Sequence, residues 1–170
     1  MRTMQPLFTR SDYDLLPEGY PAQLIEGLLV KEASPTYGHQ RVQSRLHLAL
    51  AQWVDADLVL TAPSDVVLGE HDVYQPDLVV LREAPLRSAR DVGIPLLAIE
   101  VLSPTTARRD REIKTKRLLA AGVAEVWLVD PDGEHIEVYT AHDARKARGA
   151  QAIASGVVRG FAVVPDELFG

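Results

Sequence analysis

Glu100 stands alone in Leu97-Ala98-Ile99-Glu100-Val101-Leu102, a run that otherwise reads as core. A carboxylate there carries a large desolvation cost unless it is paired, protonated or bound to a cation. Asp77 has the same character: it follows Gln75-Pro76 and opens the apolar run Leu78-Val79-Val80-Leu81. Each acid has a plainer reading, Glu100 as a salt-bridged or strand-end residue and Asp77 as a turn residue after proline. Together, two acids on neighbouring buried strands can converge on one hard cation. Mg²⁺ is bound through one or two carboxylates, with waters and substrate phosphate completing its shell. Strand alternation puts Leu96, Ala98, Glu100 and Leu102 on one face. The backbone carbonyl of Val101 is then free to add a ligand near the strand end.

A cluster of positive charge follows. Arg108, Arg109, Arg111, Lys114, Lys116 and Arg117 face only Asp110 and Glu112 over the same stretch. Most of these suit a solvated helix face. Asp110, Lys114, Leu118 and Ala121, however, fall on one helical stripe. Lys114 thus shares a face with apolar residues, whereas Lys116 lies about 200° around the helix and faces water. Lys114 is the lysine expected at the site. Arg108, Arg109 and Arg111 open the helix after Ser103-Pro104-Thr105-Thr106, a position that favours phosphate.

The elements that must hold these residues can be read from pattern. Ser11 to Asp14 predicts a short helix ended by Pro17 and Gly19. Gln23 to Lys31 reads as a hairpin about Gly27. Val42, Leu46, Ala49, Leu50 and Trp53 recur at helical spacing and predict a helix over 37–54. Strands are expected at 58–61, 66–68, 78–81 and 96–102, and a helix from 106 to 121 closed by Gly122. Strands at 126–129 and 136–139 flank the turn Pro131-Asp132-Gly133. Residues 143–149 read as a basic mobile loop, and 152–164 as two weak edge strands. The order predicts one α/β domain over 1–170, a central mixed β-sheet flanked by α-helices.

Composition narrows the function classes. The chain has 170 residues, a size that folds as one domain without a metal or disulfide staple. It has no cysteine, which excludes a disulfide framework, a thiolate zinc site, an iron–sulfur cluster and a cysteine nucleophile, and fits a cytoplasmic protein. Met1 to Ser11 lacks the apolar region of a signal peptide, and no stretch approaches the ~20 apolar residues of a membrane span. The net charge of −6 is not that of an obvious nucleic-acid binder, so any phosphate contact depends on the local basic cluster.

The sequence resembles the Uma-type family of restriction-endonuclease-like proteins, formerly a domain of unknown function, within the PD-(D/E)XK nuclease superfamily. The matching stretches are Gln23 to Gly27, Ser34-Pro35 with His39-Gln40, Gln75-Pro76-Asp77, Ile99 to Thr106, Asp110 to Lys114, and Gly122 to Pro131. The superfamily pattern places a lysine two residues after the second acid; here position 102 is leucine. Some branches supply that lysine from the following helix, which is where Lys114 lies. The family usually carries glutamate where Gln23 stands and tyrosine where Leu118 stands.

The resemblance implies a restriction-endonuclease-like core and a metal-dependent nuclease hydrolysing phosphodiester bonds, in DNA ahead of RNA. Asp77, Glu100 and the Val101 carbonyl would hold Mg²⁺ or Mn²⁺. Lys114 would orient or deprotonate the attacking water or stabilise the developing charge. Glu26 could compensate for Gln23, or be a plain hairpin residue, and His39 could approach from the long helix. The alternatives are a catalytically inactive relative that binds nucleic acid or protein, and a structural protein whose Asp77 and Glu100 are paired with Arg or Lys. Apolar edge strands near the C-terminus are compatible with a homodimer. No helix-turn-helix, zinc finger or aromatic stacking platform is present to read sequence.

Overall fold

The computed structural model describes residues 7–170; the leader-free reading of Met1 to Ser11 therefore lies partly outside the described residues. A short helix α1 (Arg10–Tyr13) is capped by Thr9. The first hairpin follows, β1 (Ala22–Ile25) and β2 (Leu28–Lys31), in full antiparallel register. Its two-residue turn places Glu26 at φ 51° and Gly27 at φ 76°. Two consecutive positive φ angles match the twist of the flanking strands, and glycine meets that demand without strain. The long helix α2 (Tyr37–Leu50) buries Val42, Leu46 and Leu50, four residues apart on one stripe.

Next come β3 (Val59–Thr61), β4 (Val66–Gly69), β5 (Asp72–Tyr74), β6 (Leu78–Val80) and β7 (Leu97–Val101). A continuous helical run then contains α3 (Ala107–Arg109), a π-helical turn (Asp110–Lys114) and α4 (Thr115–Ala120). The chain finishes with β8 (Glu125–Asp130), β9 (His135–Tyr139), β10 (Ala144–Arg148), β11 (Ile153–Ala154), β12 (Ala162–Val163) and α5 (Pro165–Phe169).

A six-stranded mixed sheet in the order β10-β9-β8-β7-β6-β3 forms the centre. The β7–β8 pair within it is parallel, because the helical run carries the chain back across the sheet between them. One face packs on α2 and α5, through Leu46, Leu50, Leu78, Ile99, Val101, Trp127 and Leu168. The opposite face, with Ala98, Leu102, Val126 and Leu128, packs on Leu118 and Val123 and on Ile25, Val66 and Tyr74 of a second sheet. That second sheet, β2-β1-β5-β4, is antiparallel throughout. The expected mixed sheet with flanking helices is present, but the hairpin about Gly27 belongs to this second sheet. β5, which joins the hairpin to β4, has only three residues and no apolar run to announce it.

Three further expectations are corrected. Residues 143–149 are not a mobile loop: β10 pairs with β9 over five residues. Its arginines and lysine are those of an edge strand, where charge blunts pairing with other chains. α2 stops at Leu50, so Trp53 lies outside it, 54% exposed, packed over Gly160. α5 was not expected; Pro165 starts it at a position where the missing N–H costs nothing. β11 and β12 are present as expected but pair with each other rather than with the large sheet. Among the described residues no helix is long and apolar enough to cross a membrane.

Candidate active site

The register of the central sheet sets the two acids side by side. Leu78 pairs with Ile99 in the antiparallel β6–β7 ladder, so Asp77, one residue before β6, comes opposite Glu100. Asp77 Oδ2 accepts a hydrogen bond from the Val101 amide at 2.7 Å. The Asp77 carbonyl accepts from Gln43 Nε2 at 2.8 Å and from the Ala62 amide at 3.0 Å. Three donors, from β7, α2 and the bend after β3, thus fix this residue. His39, on the first turn of α2, brings Nε2 to 3.3 Å from Asp77 Oδ2. The Asp77 contact raises the imidazole pKa, against burial, with added help from the Val101 backbone and Asp110.

Glu100 lies deeper, 3% exposed, on the face shared with Ala98 and Leu102. The helical run crosses above it and supplies Lys114, which is 1% exposed. Lys114 Nζ is in direct ionic contact with Glu100 Oε1 and lies 3.6 Å from Asp110 Oδ1. Its ammonium also sits 5.9 Å from the centre of the Tyr74 ring, within cation–π range. Burial pushes the Glu100 carboxyl well above the usual range; Lys114 opposes this, and Asp110 and Asp77 add to it. For Lys114 burial works downward, but Glu100 and Asp110 outweigh it and the ammonium pKa rises. Two buried carboxylates share one ammonium, and Glu100 Oε1 and Asp110 Oδ1 have no aligned hydrogen-bond donor.

The π-helical turn shapes this contact. A wide turn exposes a backbone carbonyl, and Thr115 Oγ1 fills the gap by donating to the Asp110 carbonyl at 2.7 Å. Asp110, Lys114 and Leu118 all end buried, as the stripe predicts, while Lys116 is exposed.

A metal can be tested against these donors. Asp77, Glu100 and the Val101 backbone offer hard oxygens, the kind Mg²⁺ and Mn²⁺ prefer. Among the described residues no group of three His, Asp or Glu side chains is gathered as a complete cage. Mg²⁺ does not need one, since waters and substrate phosphate fill most of its shell. Asp77 and Glu100 bring hard carboxylate oxygens to neighbouring positions on adjacent strands, so the donor set is compatible, with Lys114 already facing Glu100 and Asp110.

The remaining candidates separate. Glu26 stays at the hairpin turn, where Arg117 reaches it at 2.7 Å. Arg108 is paired with Glu112 and is largely exposed. Arg109 pairs with Glu32 at 2.9 Å, and Arg111 with Glu137 at 2.9 Å. The arginines are thus drawn to different carboxylates and do not form one cluster. Gln23 is buried, donates to Glu32 at 2.9 Å and accepts from the Gln75 amide at 2.7 Å. Gln43 and Glu32 have no sequence signal that marks them. Asp110 had one, an acid on the same apolar stripe as Lys114.

A second polar group lies two strands away in the same row. Glu100, Leu128, Glu137 and Lys146 are successive partners across β7, β8, β9 and β10. Glu137 is opposed by burial, but hydrogen bonds from Arg111, Tyr139 and His135 hold its carboxyl down at about 2. The helical run therefore places Lys114 on one buried acid and Arg111 on the next.

A solved structure described as "a putative nuclease belonging to DUF820" from Anabaena variabilis superposes with a TM-score of 0.82 at 20% identity, covering 95% of this chain and 97% of that one. That likeness shows the fold. No curated protein has a sequence that matches this chain. A family model described as "Putative restriction endonuclease" matches residues 10–161, spanning both acids, Lys114 and the strands that carry them, and on that match the chain belongs to the Uma2 family.

Proposed function

We propose that this protein is a metal-dependent nuclease that hydrolyses phosphodiester bonds, in DNA ahead of RNA. The observation that carries the reading is the juxtaposition of Asp77 and Glu100 across the β6–β7 ladder with Lys114 delivered onto Glu100. Asp77, Glu100 and the Val101 carbonyl are the groups that would hold Mg²⁺ or Mn²⁺. When bound, such a cation polarises the scissile phosphate and acidifies a water. Lys114 is held charged by Glu100 and Asp110, so it acts by stabilising negative charge and orienting water rather than as a base. His39, held toward its cationic form by Asp77, steadies that carboxylate's orientation. The absence of cysteine is consistent with a cytoplasmic setting.

One observation favours a second reading, a catalytically inactive nuclease fold that binds nucleic acid or protein. Lys114 already supplies a counter-charge to Glu100, so this acid is compensated without a metal. The two readings separate in one assay. The protein is incubated with supercoiled plasmid, single-stranded DNA and RNA, with Mg²⁺, Mn²⁺ or EDTA, beside Asp77→Ala. Metal-dependent cutting that vanishes in the variant is the expected result. Binding without cutting on every substrate and ion moves the assignment to the inactive reading.

A further inference from the structure

We infer that the cleft between α2 and β3 takes a nucleobase of the DNA strand next to the scissile phosphate. The inference rests on the nuclease reading above and deepens it. The cleft measures about 560 Å³, large enough for a single base. It adjoins the proposed metal site through a shared wall. Gln43 lines it and donates to the Asp77 carbonyl; Ala62 lines it and donates its amide to the same oxygen. A strand whose phosphate sits at Asp77 has its neighbouring base within reach of this opening.

The chemistry of the wall selects the occupant. Among the described residues no Lys, Arg, Asp or Glu lines the cleft, so it is not built for phosphate. Its polar groups are the neutral amide of Gln40, the hydroxyls of Ser44 and Thr61, and the imidazole of His47. Pro35 and Leu48 add apolar surface. A nucleobase has both complements, flat apolar faces and an edge of hydrogen-bond donors and acceptors. Glutamine and serine or threonine are side chains that read such edges. His47 Nδ1 is buried without a hydrogen-bond partner. Gln43, whose amide nitrogen is already committed to Asp77, belongs to the shared wall and is left untouched in the test.

The test is an abasic scan. A fluorescein-labelled DNA strand is bound to the full chain in EDTA and again in Ca²⁺, with one base removed at each position in turn. Affinity is read by anisotropy, with an RNA of the same sequence as competitor. In the wild type, removal at one position weakens binding about tenfold, and removal elsewhere changes little. In Ser44→Ala/His47→Ala that penalty falls below about twofold, since the base has lost its partners. Ser44→Trp, at an exposed helix position, fills the cleft and gives the same loss without disturbing the core. A flat scan in the wild type, a penalty undiminished in both variants, or no binding to any strand overturns the inference. An RNA that competes more strongly than the unlabelled DNA overturns the choice of DNA. A one-position penalty without metal-dependent cutting leaves the cleft standing and sinks the nuclease reading; cutting with a flat scan does the reverse.

Discussion

Replacing Lys114 with methionine isolates the buried charge pair. Methionine keeps most of the side-chain volume but removes the ammonium, and with it the cation–π contact to Tyr74. Lys114 and Glu100 are 1% and 3% exposed, so the carboxylate left behind has no water to turn to. Breaking one partner of a buried pair costs about 3–5 kcal/mol. For a domain of this size each kcal/mol shifts the melting temperature by roughly 2–4 °C, so a fall of about 6–20 °C is expected. The cost depends on pH. Burial raises the Glu100 carboxyl above its unfolded value, and losing Lys114 raises it further. Above the ordinary glutamate pKa of about 4.3 the native variant holds a proton that the unfolded chain releases. Its stability therefore declines as pH rises through that window. Urea unfolding of wild type and Lys114→Met at about pH 5 and about pH 8 reads both effects. A loss under about 1 kcal/mol at pH 8, or an equal loss at both pH values, would refute the argument, because no uncompensated acid would then be present.

Millimolar Mn²⁺ should raise the melting temperature of the wild type, by the equivalent of about 2.7 kcal/mol at one hundred times its dissociation constant, and leave Asp77→Ala unmoved; equal shifts would place the ion elsewhere. Glu137→Gln tests the second polar group. Its carboxyl is held down at about 2, so the stability it contributes is present above about pH 4.3 and is lost as pH falls toward 2. Unfolding midpoints of the two proteins should converge with acid, and parallel curves would contradict this. Gly160→Ala should cost at least about 1 kcal/mol: a Cβ there would lie 2.4 Å from Trp53, at φ +90°. Trp53→Ala in the same chain should return part of the loss, and an unchanged loss would show that the backbone angle alone is responsible.

The acids of the candidate site were legible because Glu100 interrupts one apolar run and Asp77 opens another. Glu100 and Asp77 announce a desolvation cost that only a partner can meet. Lys114 was legible for a related reason: a lysine on the stripe of Leu118 cannot face water. The π-helical turn did not disturb this reading, since Asp110 and Lys114 lie four apart inside it. What pattern missed lies in segments and side chains that carry no apolar period of their own. β10 reads as charged coil because an edge strand shows its side chains to water. β5 is too short to carry a period. Gln43 and Glu32 matter only through what they touch, Asp77 for one and Arg109 for the other. The separation of the arginines was also hidden: Arg108 turns to Glu112 nearby, whereas Arg109 and Arg111 find Glu32 and Glu137, distant in sequence.

The wide turn at Asp110–Lys114 has a consequence for insertion and deletion. A π turn is in effect one residue added to an α-helix. Removing a residue such as Glu112 would restore the ordinary repeat while the flanking helices remain helical. Leu118 and everything after it would keep their seats under the sheet. The residues before the cut would keep their seats as well, because one added residue is what the wide turn absorbs. A single-codon deletion here should thus give a folded protein in which the Asp110 carbonyl returns to an ordinary helical bond and the Thr115 hydroxyl loses the acceptor it now has.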